Sequence, residues 1–216
     1  MRRSKAVDGG YRDSRRLAEV VRGHGVKDER LLSAIAEIPR AAFVPPEMAG
    51  AAYRDAPIPI PHDQVTTQPS LIAQMVEALE LTGEEKVLEI GTGYGWQTAL
   101  LARLAGMVWS VERWPDLVAT ARANLGDIAN VRLVIGDGSE GLPDEAPFDA
   151  IIIAAAFTSV PPPLAEQLAR GGRLVQPIGP GGRDDVMLFE KRPEGLVKIR
   201  MIVPAHFVRL RGRHGF

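Results

Sequence analysis

The chain of 216 residues has no cysteine, which removes disulfides, thiolate nucleophiles and cysteine-ligated zinc or iron–sulfur centres. An excess of one charge is also missing: 26 Lys+Arg stand against 27 Asp+Glu, a formal net charge of −1. Such a balance gives no global attraction to nucleic acid or an anionic membrane, and neither is expected as an obligate partner. Long hydrophobic runs are absent too. The longest, 150–157, has eight residues, against the ~20 that cross a bilayer. The N-terminus is polar and arginine-rich (Arg2, Arg3, Lys5, Arg12, Arg15, Arg16) with no apolar stretch behind it. It does not read as a secretory signal, and Asp8, Asp13 and Glu19 count against a transit peptide, so the expected location is cytoplasmic. His24, His62, His206 and His214 lack the spacing of a metal site, and no metal is expected.

What is present is ordinary for a globular chain, 45% hydrophobic and 25% charged. Apolar residues at three- and four-residue steps predict helix over 11–38, broken at Gly23-His24-Gly25. Seven prolines then fall within 39–69, which denies ladder and helix hydrogen bonds and predicts irregular chain. A helix follows over 70–81, with Pro69 suited to its first position. From Lys86 short apolar strands (87–90, 108–111, 131–135, 148–154, 173–178) alternate with helices (96–104, 115–125, and one holding 164–168). That alternation predicts a parallel sheet covered on both faces. Beyond Gly182, the stretches 186–191, 196–202 and 207–210 look like strands with no helices between them. The expected fold is therefore α/β: a doubly wound, mostly parallel seven-stranded sheet, Rossmann-like, with antiparallel C-terminal strands. One domain is expected over 1–216. Its helical and proline-rich cap spans 1–81, its ligand-binding core 82–182, and its last strands 183–216.

The strongest local signal is Glu89-Ile90-Gly91-Thr92-Gly93-Tyr94-Gly95-Trp96, where a strand enters three alternate glycines and a helix follows. Glycine lets the backbone turn sharply and approach a ligand with no Cβ in the way. The helix N-terminus beyond offers free N–H groups. A dinucleotide fingerprint would need its third glycine at position 96, which is Trp96. The mismatch favours the nucleoside-binding loop of S-adenosylmethionine enzymes over a pyrophosphate clamp. Glu112 ends the second strand, where a carboxylate can accept from both ribose hydroxyls. Asp137, in Gly136-Asp137-Gly138 after the third strand, is suited to an adenine amine. Glu89 either touches the cofactor or orients the loop. The expected cofactor-binding set is Glu89, Gly91, Thr92, Gly93, Gly95, Glu112, Arg113, Asp137 and Gly138. Trp114 either stacks on adenine or packs. His62, Asp184-Asp185 and the basic run 209–214 read as solvated.

With these motifs the chain resembles the protein-L-isoaspartate (D-aspartate) O-methyltransferases over about 31–212. The matching runs include Ile38-Pro39-Arg40, Phe43-Val44-Pro45, Ala52-Tyr53-x-Asp55-x-Pro57-Ile58-Pro59-Ile60 and Gln68-Pro69. Others are 87–95, Ser110-Val111-Glu112, Gly136-Asp137-Gly138, Pro147-Phe148-Asp149, Gly171-Gly172-Arg173-Leu174-Val175 and Phe207-Val208. The proline-rich stretch makes the resemblance specific, since the glycine loop alone says only class I methyltransferase. The resemblance implies a class I methyltransferase fold and S-adenosyl-L-methionine as cofactor. It also implies methylation of isoaspartyl or D-aspartyl carboxylates in damaged proteins, whose esters close to succinimides and reopen as aspartate. A monomer acting on damaged proteins or peptides is the expectation. One stretch departs: the family reads close to Pro-Ile-Gly-x-Gly-Gln-Thr-Ile-Ser-x-Pro over 59–69. Here Pro61 and Asp63 replace both glycines and Val65 a threonine, while Gln64, Pro69 and the hydroxyl of Thr67 are kept.

The reaction so implied needs no general base, because an ionised carboxylate attacks the methyl in line. Rate comes from alignment and exclusion of water. Thr67 and Gln64 are the residues expected to meet the acceptor carboxylate, helped by Thr66 and the helix start at Ser70. The alternative role of both threonines is helix capping. Two other readings remain open. One is a class I methyltransferase acting on another acceptor: ordinary aspartate in a peptide, an RNA base or a small molecule. The second is a nucleoside-binding module without turnover. A nicotinamide dehydrogenase is disfavoured by Trp96.

Overall fold

A computed structural model describes residues 2–216, with side chains from Arg12 onward. The side chains of Arg2, Arg3, Lys5 and Asp8 in the arginine-rich N-terminus lie outside the described residues. Helix α1 (Arg2–Gly23) ends where Gly25 takes φ +94. Helix α2 (Glu29–Glu37) opens on Asp28, whose carboxylate accepts the N–H groups of Arg30 and Leu31. Leu17, Val21, Leu31 and Ile35 turn inward and are buried.

The proline-rich stretch is more ordered than its composition suggests. Two 3-10 turns, Arg40–Phe43 and Pro46–Ala51, lead into a hairpin that sequence periodicity did not reveal. Its strands are β1 (Ile58–Ile60) and β2 (Gln64–Thr66), paired antiparallel with Pro59 opposite Val65. Three-residue strands are too short for a visible alternation. The turn between them is tight: His62 (φ +64) and Asp63 (φ +56) both take the left-handed conformation. Helix α3 (Pro69–Glu77) has proline at its first turn as expected. It stops short of 81, because Glu80 adopts φ +52 and breaks the helical path.

The main sheet contains β3 (Lys86–Ile90), β4 (Met107–Glu112), β5 (Val131–Ile135), β6 (Phe148–Ile153), β7 (Leu168–Ile178), β8 (Asp184–Arg192) and β9 (Gly195–Ala205). Their order is β5-β4-β3-β6-β7-β8-β9. The first five are parallel, and β8 and β9 close the sheet antiparallel. Helices α4 (Trp96–Leu104), α5 (Pro115–Leu125) and α6 (Pro162–Gln167) make the crossovers. Several boundaries move by a residue or more, and two changes alter an assignment. Leu168 belongs to β7, not to the helix before it, and packs in the same apolar cluster as Leu164. Residues 207–210 are not a strand. Among the described residues their strand-like pairing is a single bridge at Ala156, whose N–H donates to Val208 and whose carbonyl accepts from Leu210.

One apolar layer joins α1–α5 to one sheet face, through Val87, Val108 and Ile152 among others. A second lies on the opposite face, around Leu88, Ile151, Ile153 and Leu164. Truncating a fully buried member such as Leu100 or Ile151 to alanine costs ~2–5 kcal/mol. The half-exposed Arg103–Glu37 pair between α4 and α2 adds at most ~1 kcal/mol. Packing, not surface charge, holds the cap on the core. Strand β3 leads to β4 on one side and abuts β6 on the other, so the carboxyl ends of β3 and β6 form a topological switch point. Open α/β sheets bind ligands there.

Candidate active site

A crevice of about 620 Å³, including its mouth, sits at this switch point. One wall is the glycine loop after β3. Gly91, Gly93 and Gly95 all have positive φ (+96, +55, +93), a conformation that side chains rarely adopt. A Cβ on Gly91 would stand 3.3 Å from the Ala154 Cβ, and one on Gly95 would press on Leu125 and Ala121 of α5. Thr92 is buried, and its hydroxyl shares a 2.5 Å hydrogen bond with Ser110. The opposite wall is the hairpin, through Ile60 and 64–67, and the segment after β9 closes the end with Phe207 and Val208.

The two acids read from the sequence have different placements. Glu112 lines the crevice. Its carboxylate accepts the N–H of Gly93 (3.1 Å) with one oxygen, and those of Arg113 (2.7 Å) and Trp114 (3.1 Å) with the other. Asp137 stands behind the lining. Its oxygens accept the N–H and hydroxyl of Ser139 (2.9 and 2.7 Å) and the N–H of Arg213 (2.7 Å). Burial works to raise its carboxyl, but those bonds and the Arg113 charge outweigh it and hold the group below its usual range. Gly138 follows because a Cβ there would collide with Ile90. Arg113 is exposed and lies with its guanidinium 5.2 Å from the Trp114 ring, outside the crevice.

Glu89 lies beneath the loop and does not line the crevice. Its oxygens accept from Gln97 (2.9 Å), Thr98 (2.5 Å) and Ser110 (2.6 Å), tying β3, α4 and β4 together. Complete burial pushes its carboxyl up to about 7 against the pull of those three donors. Hydrogen bonds to a charge are worth ~1.5–3 kcal/mol each and here do not offset desolvation.

Of the two residues expected to meet the acceptor, Gln64 lines the crevice while its amide donates to the His62 carbonyl (2.8 Å), stiffening the hairpin turn. Thr67 lines both the crevice and an outer cleft bounded by α3 and the end of β9. Its hydroxyl has no protein partner among the described residues. Neither threonine caps the helix. Gln68 occupies the cap position but its side chain accepts no helix N–H, and Asp55 takes the N–H (2.8 Å) and hydroxyl (2.7 Å) of Ser70 instead. The Ser70 donors at the helix start are thus already taken. The Thr66 hydroxyl points away to Arg40 (2.9 Å).

Several residues set aside in the sequence prove to be engaged. His62 is not a free loop histidine: its ring stacks on Trp114 (centroids 3.9 Å, planes 4° apart), and Nε2 meets Asp116 at 2.9 Å. The face of Trp114 so covered is not free for adenine. Asp184 is buried and accepts the N–H groups of Gly181 (2.9 Å), Gly182 (3.0 Å) and Phe207 (3.1 Å), so it is not a solvated turn. The basic C-terminal run is pinned by its main chain, with His214 donating to the Ser139 hydroxyl at 3.0 Å. Sequence reasoning gave no site role to Asp55 or Arg40. Their one signal was their place in the proline-rich matching runs. Among the described residues no group of three or more His, Asp or Glu side chains could hold a metal ion.

The model of the family described as protein-L-isoaspartate(D-aspartate) O-methyltransferase matches residues 12–215. A protein-L-isoaspartate O-methyltransferase of Anaeromyxobacter dehalogenans (strain 2CP-C) is 52% identical over 201 residues, covering 91% of this chain and 96% of the relative. One from Aeropyrum pernix is 45% identical over 214 residues, covering 95% and 82%. Among solved structures, a protein-L-isoaspartate O-methyltransferase superposes with a TM-score of 0.80 at 30% identity, covering 93% of this chain and 66% of that one. A Plasmodium falciparum structure, titled as a complex with S-adenosyl-L-homocysteine, superposes at 0.77 with 20% identity, covering 92% and 98%, and shows the shared fold.

Proposed function

The chain belongs to the protein-L-isoaspartate(D-aspartate) O-methyltransferase family, and from that premise we propose how its own residues carry the reaction. It is an S-adenosylmethionine-dependent enzyme that methylates isoaspartyl residues, the step that begins their repair. The cofactor supplies a methyl group activated on a sulfonium. The site fits such a group, because the three-glycine loop, held at positive φ, lines an open crevice and an acid stands beside it. In this reading Gly91, Thr92, Gly93 and Gly95 form the cradle and Glu112 takes the ribose hydroxyls. Asp137, with Gly138, faces the adenine end through a lone pair its three donors leave free, and Arg113 flanks that end. Glu89 orients the loop from below.

The acceptor carboxylate enters from the outer cleft past Thr67. That residue's place on the wall common to cleft and crevice is the observation that carries the reading. A hydroxyl without a protein partner there can donate to the acceptor, and Gln64 completes the wall. The walls exclude water, and the ionised acceptor attacks without a base, so alignment supplies the rate. The outer cleft is lined by His24, His206, Gln68 and Gln74 and, among the described residues, by no lysine or arginine. That suits a peptide and gives an RNA backbone no cationic contact. We read 1–216 as one domain, a monomer in the cytoplasm. No helix among the described residues is long and apolar enough to cross a membrane.

The test uses radiolabelled methyl donor with an isoaspartyl peptide, its aspartyl twin and total RNA. Label is expected in the isoaspartyl peptide alone. Uptake by RNA or by the aspartyl peptide in its place would end the reading.

A further inference from the structure

Arg40 is a completely buried cation, and no carboxylate touches it among the described residues. Its Nη1 donates to the carbonyls of Ala52 (2.9 Å) and Arg54 (3.3 Å). Its Nη2 donates to the carbonyls of Ala56 (3.2 Å), Thr66 (3.5 Å) and Thr67 (3.1 Å), and to the Thr66 hydroxyl (2.9 Å). Nε is buried without a partner. The guanidinium also lies 5.5 Å from the ring centre of Trp96, the residue that follows the glycine loop and opens α4. Burial pulls its ionisation down to about 10, against the steadying charge of Asp55, so the cation persists at neutral pH. One side chain thereby joins the 52–56 turn, the acceptor wall and the start of the cofactor helix.

Burying an uncompensated charge is costly, and a hydrophobic residue would fill the same space at lower cost. What an apolar residue cannot do is fix successive peptide units. A trans peptide places its C=O and the next N–H on opposite sides. Holding the carbonyls of Thr66 and Thr67 therefore turns the N–H groups of Thr67 and Gln68 away from Arg40, and it sets the direction in which the Thr67 side chain leaves the backbone.

We infer that Arg40 is a positioning residue for methyl transfer: it locks the Thr66–Thr67 backbone so that Thr67 presents the acceptor carboxylate in line with the methyl group. The inference rests on the acceptor reading above. It predicts a kinetic signature distinct from simple loss of fold. Misplacement by about an ångström costs ~100-fold in the chemical step, whereas cofactor binding on the far wall depends on the glycine loop and Glu112.

The experiment compares wild type, Arg40→Met and Arg40→Lys. Readouts are kcat and KM for an isoaspartyl peptide, affinity for S-adenosylhomocysteine by calorimetry, and the melting temperature. Arg40→Met is expected to lower kcat ~100-fold with cofactor affinity changed less than ~3-fold, and Arg40→Lys to recover part of the loss. Equal losses in cofactor affinity and kcat would reduce Arg40 to a structural tie and overturn the inference. An unchanged kcat overturns it equally. Should Arg40→Met fail to fold, Thr66→Val decides, since it removes one acceptor from the guanidinium and preserves volume. A kcat lowered ~5-fold at unchanged cofactor affinity supports the inference, and an unchanged kcat overturns it. If the wild type is inactive on the peptide, both this inference and the acceptor reading fall. An active wild type beside an indifferent Arg40→Met removes this inference alone.

Discussion

The carboxylate of Asp137 is held from behind by the chain's own C-terminus: the N–H of Arg213, 76 residues further on, donates to it at 2.7 Å. Gly212 makes this approach possible, because a Cβ there would overlap the Asp137 oxygen and crowd the Ser139 hydroxyl. The tail thus orients an acid that the glycine-rich core places but does not fix.

Gly212→Ala is accordingly expected to weaken S-adenosylhomocysteine binding about 10-fold, the equivalent of losing one charge-assisted hydrogen bond. Calorimetric titration checks this. Unchanged affinity would show that the tail does not organise the adenine end.

Thr67→Val retains shape and removes the hydroxyl. An ionised acceptor has its full charge before the reaction and loses it during methyl transfer, so a donor to it favours binding more than turnover. The variant is expected to raise KM for the isoaspartyl peptide ~10-fold or more and to lower kcat as well, because the same hydroxyl aligns the acceptor. Steady-state kinetics with the cofactor saturating reads both, and unchanged KM and kcat would contradict this role.

Glu89 makes stability depend on pH. Its folded carboxyl titrates near 7 against an ordinary 4.5, so between those values the folded state binds a proton that the unfolded state has released. Stability therefore falls as pH rises through that window. Glu89→Gln is expected to flatten this part of the curve, measured as the difference in melting temperature between about pH 5 and pH 7. Parallel curves for the two proteins would refute the assignment.

His62→Ala removes the stack on Trp114 and the contact with Asp116 that pin the hairpin tip to α5. Amide exchange across 58–66 is expected to quicken about 2- to 10-fold, which corresponds to the ~0.5–1.5 kcal/mol of an aromatic pair. Mass-resolved hydrogen exchange reads this directly, and exchange at the wild-type rate would mean the tip is held elsewhere.

The parts legible in the sequence share one property: their physical cause is local. Alternating apolar strands and amphipathic helices announced the doubly wound sheet, because burial on both faces demands continuous apolar runs. Helices 96–104 and 115–125 were bounded correctly, the first by a glycine loop and the second by Pro115 and Gly126. Where the cause was distant, reading failed. The hairpin at 58–66 has strands of three residues. The stretch 207–210 has strand-like residues but makes a single isolated bridge, to Ala156, among the described residues, and Leu168 is equally apolar in helix or strand.

The same division runs through the site. By itself the sequence determined a tight loop with its glycines at 91, 93 and 95 and an acid at 112 ending the next strand, because backbone conformation and strand-end position are set by neighbours along the chain. Only the tertiary structure decided that Asp55, not a threonine, caps α3, that Arg40 grips the carbonyls of Thr66 and Thr67, and that Arg213 secures Asp137. Buried polar groups must find partners wherever the fold supplies them, and those partners come from parts of the chain whose meeting no local pattern records.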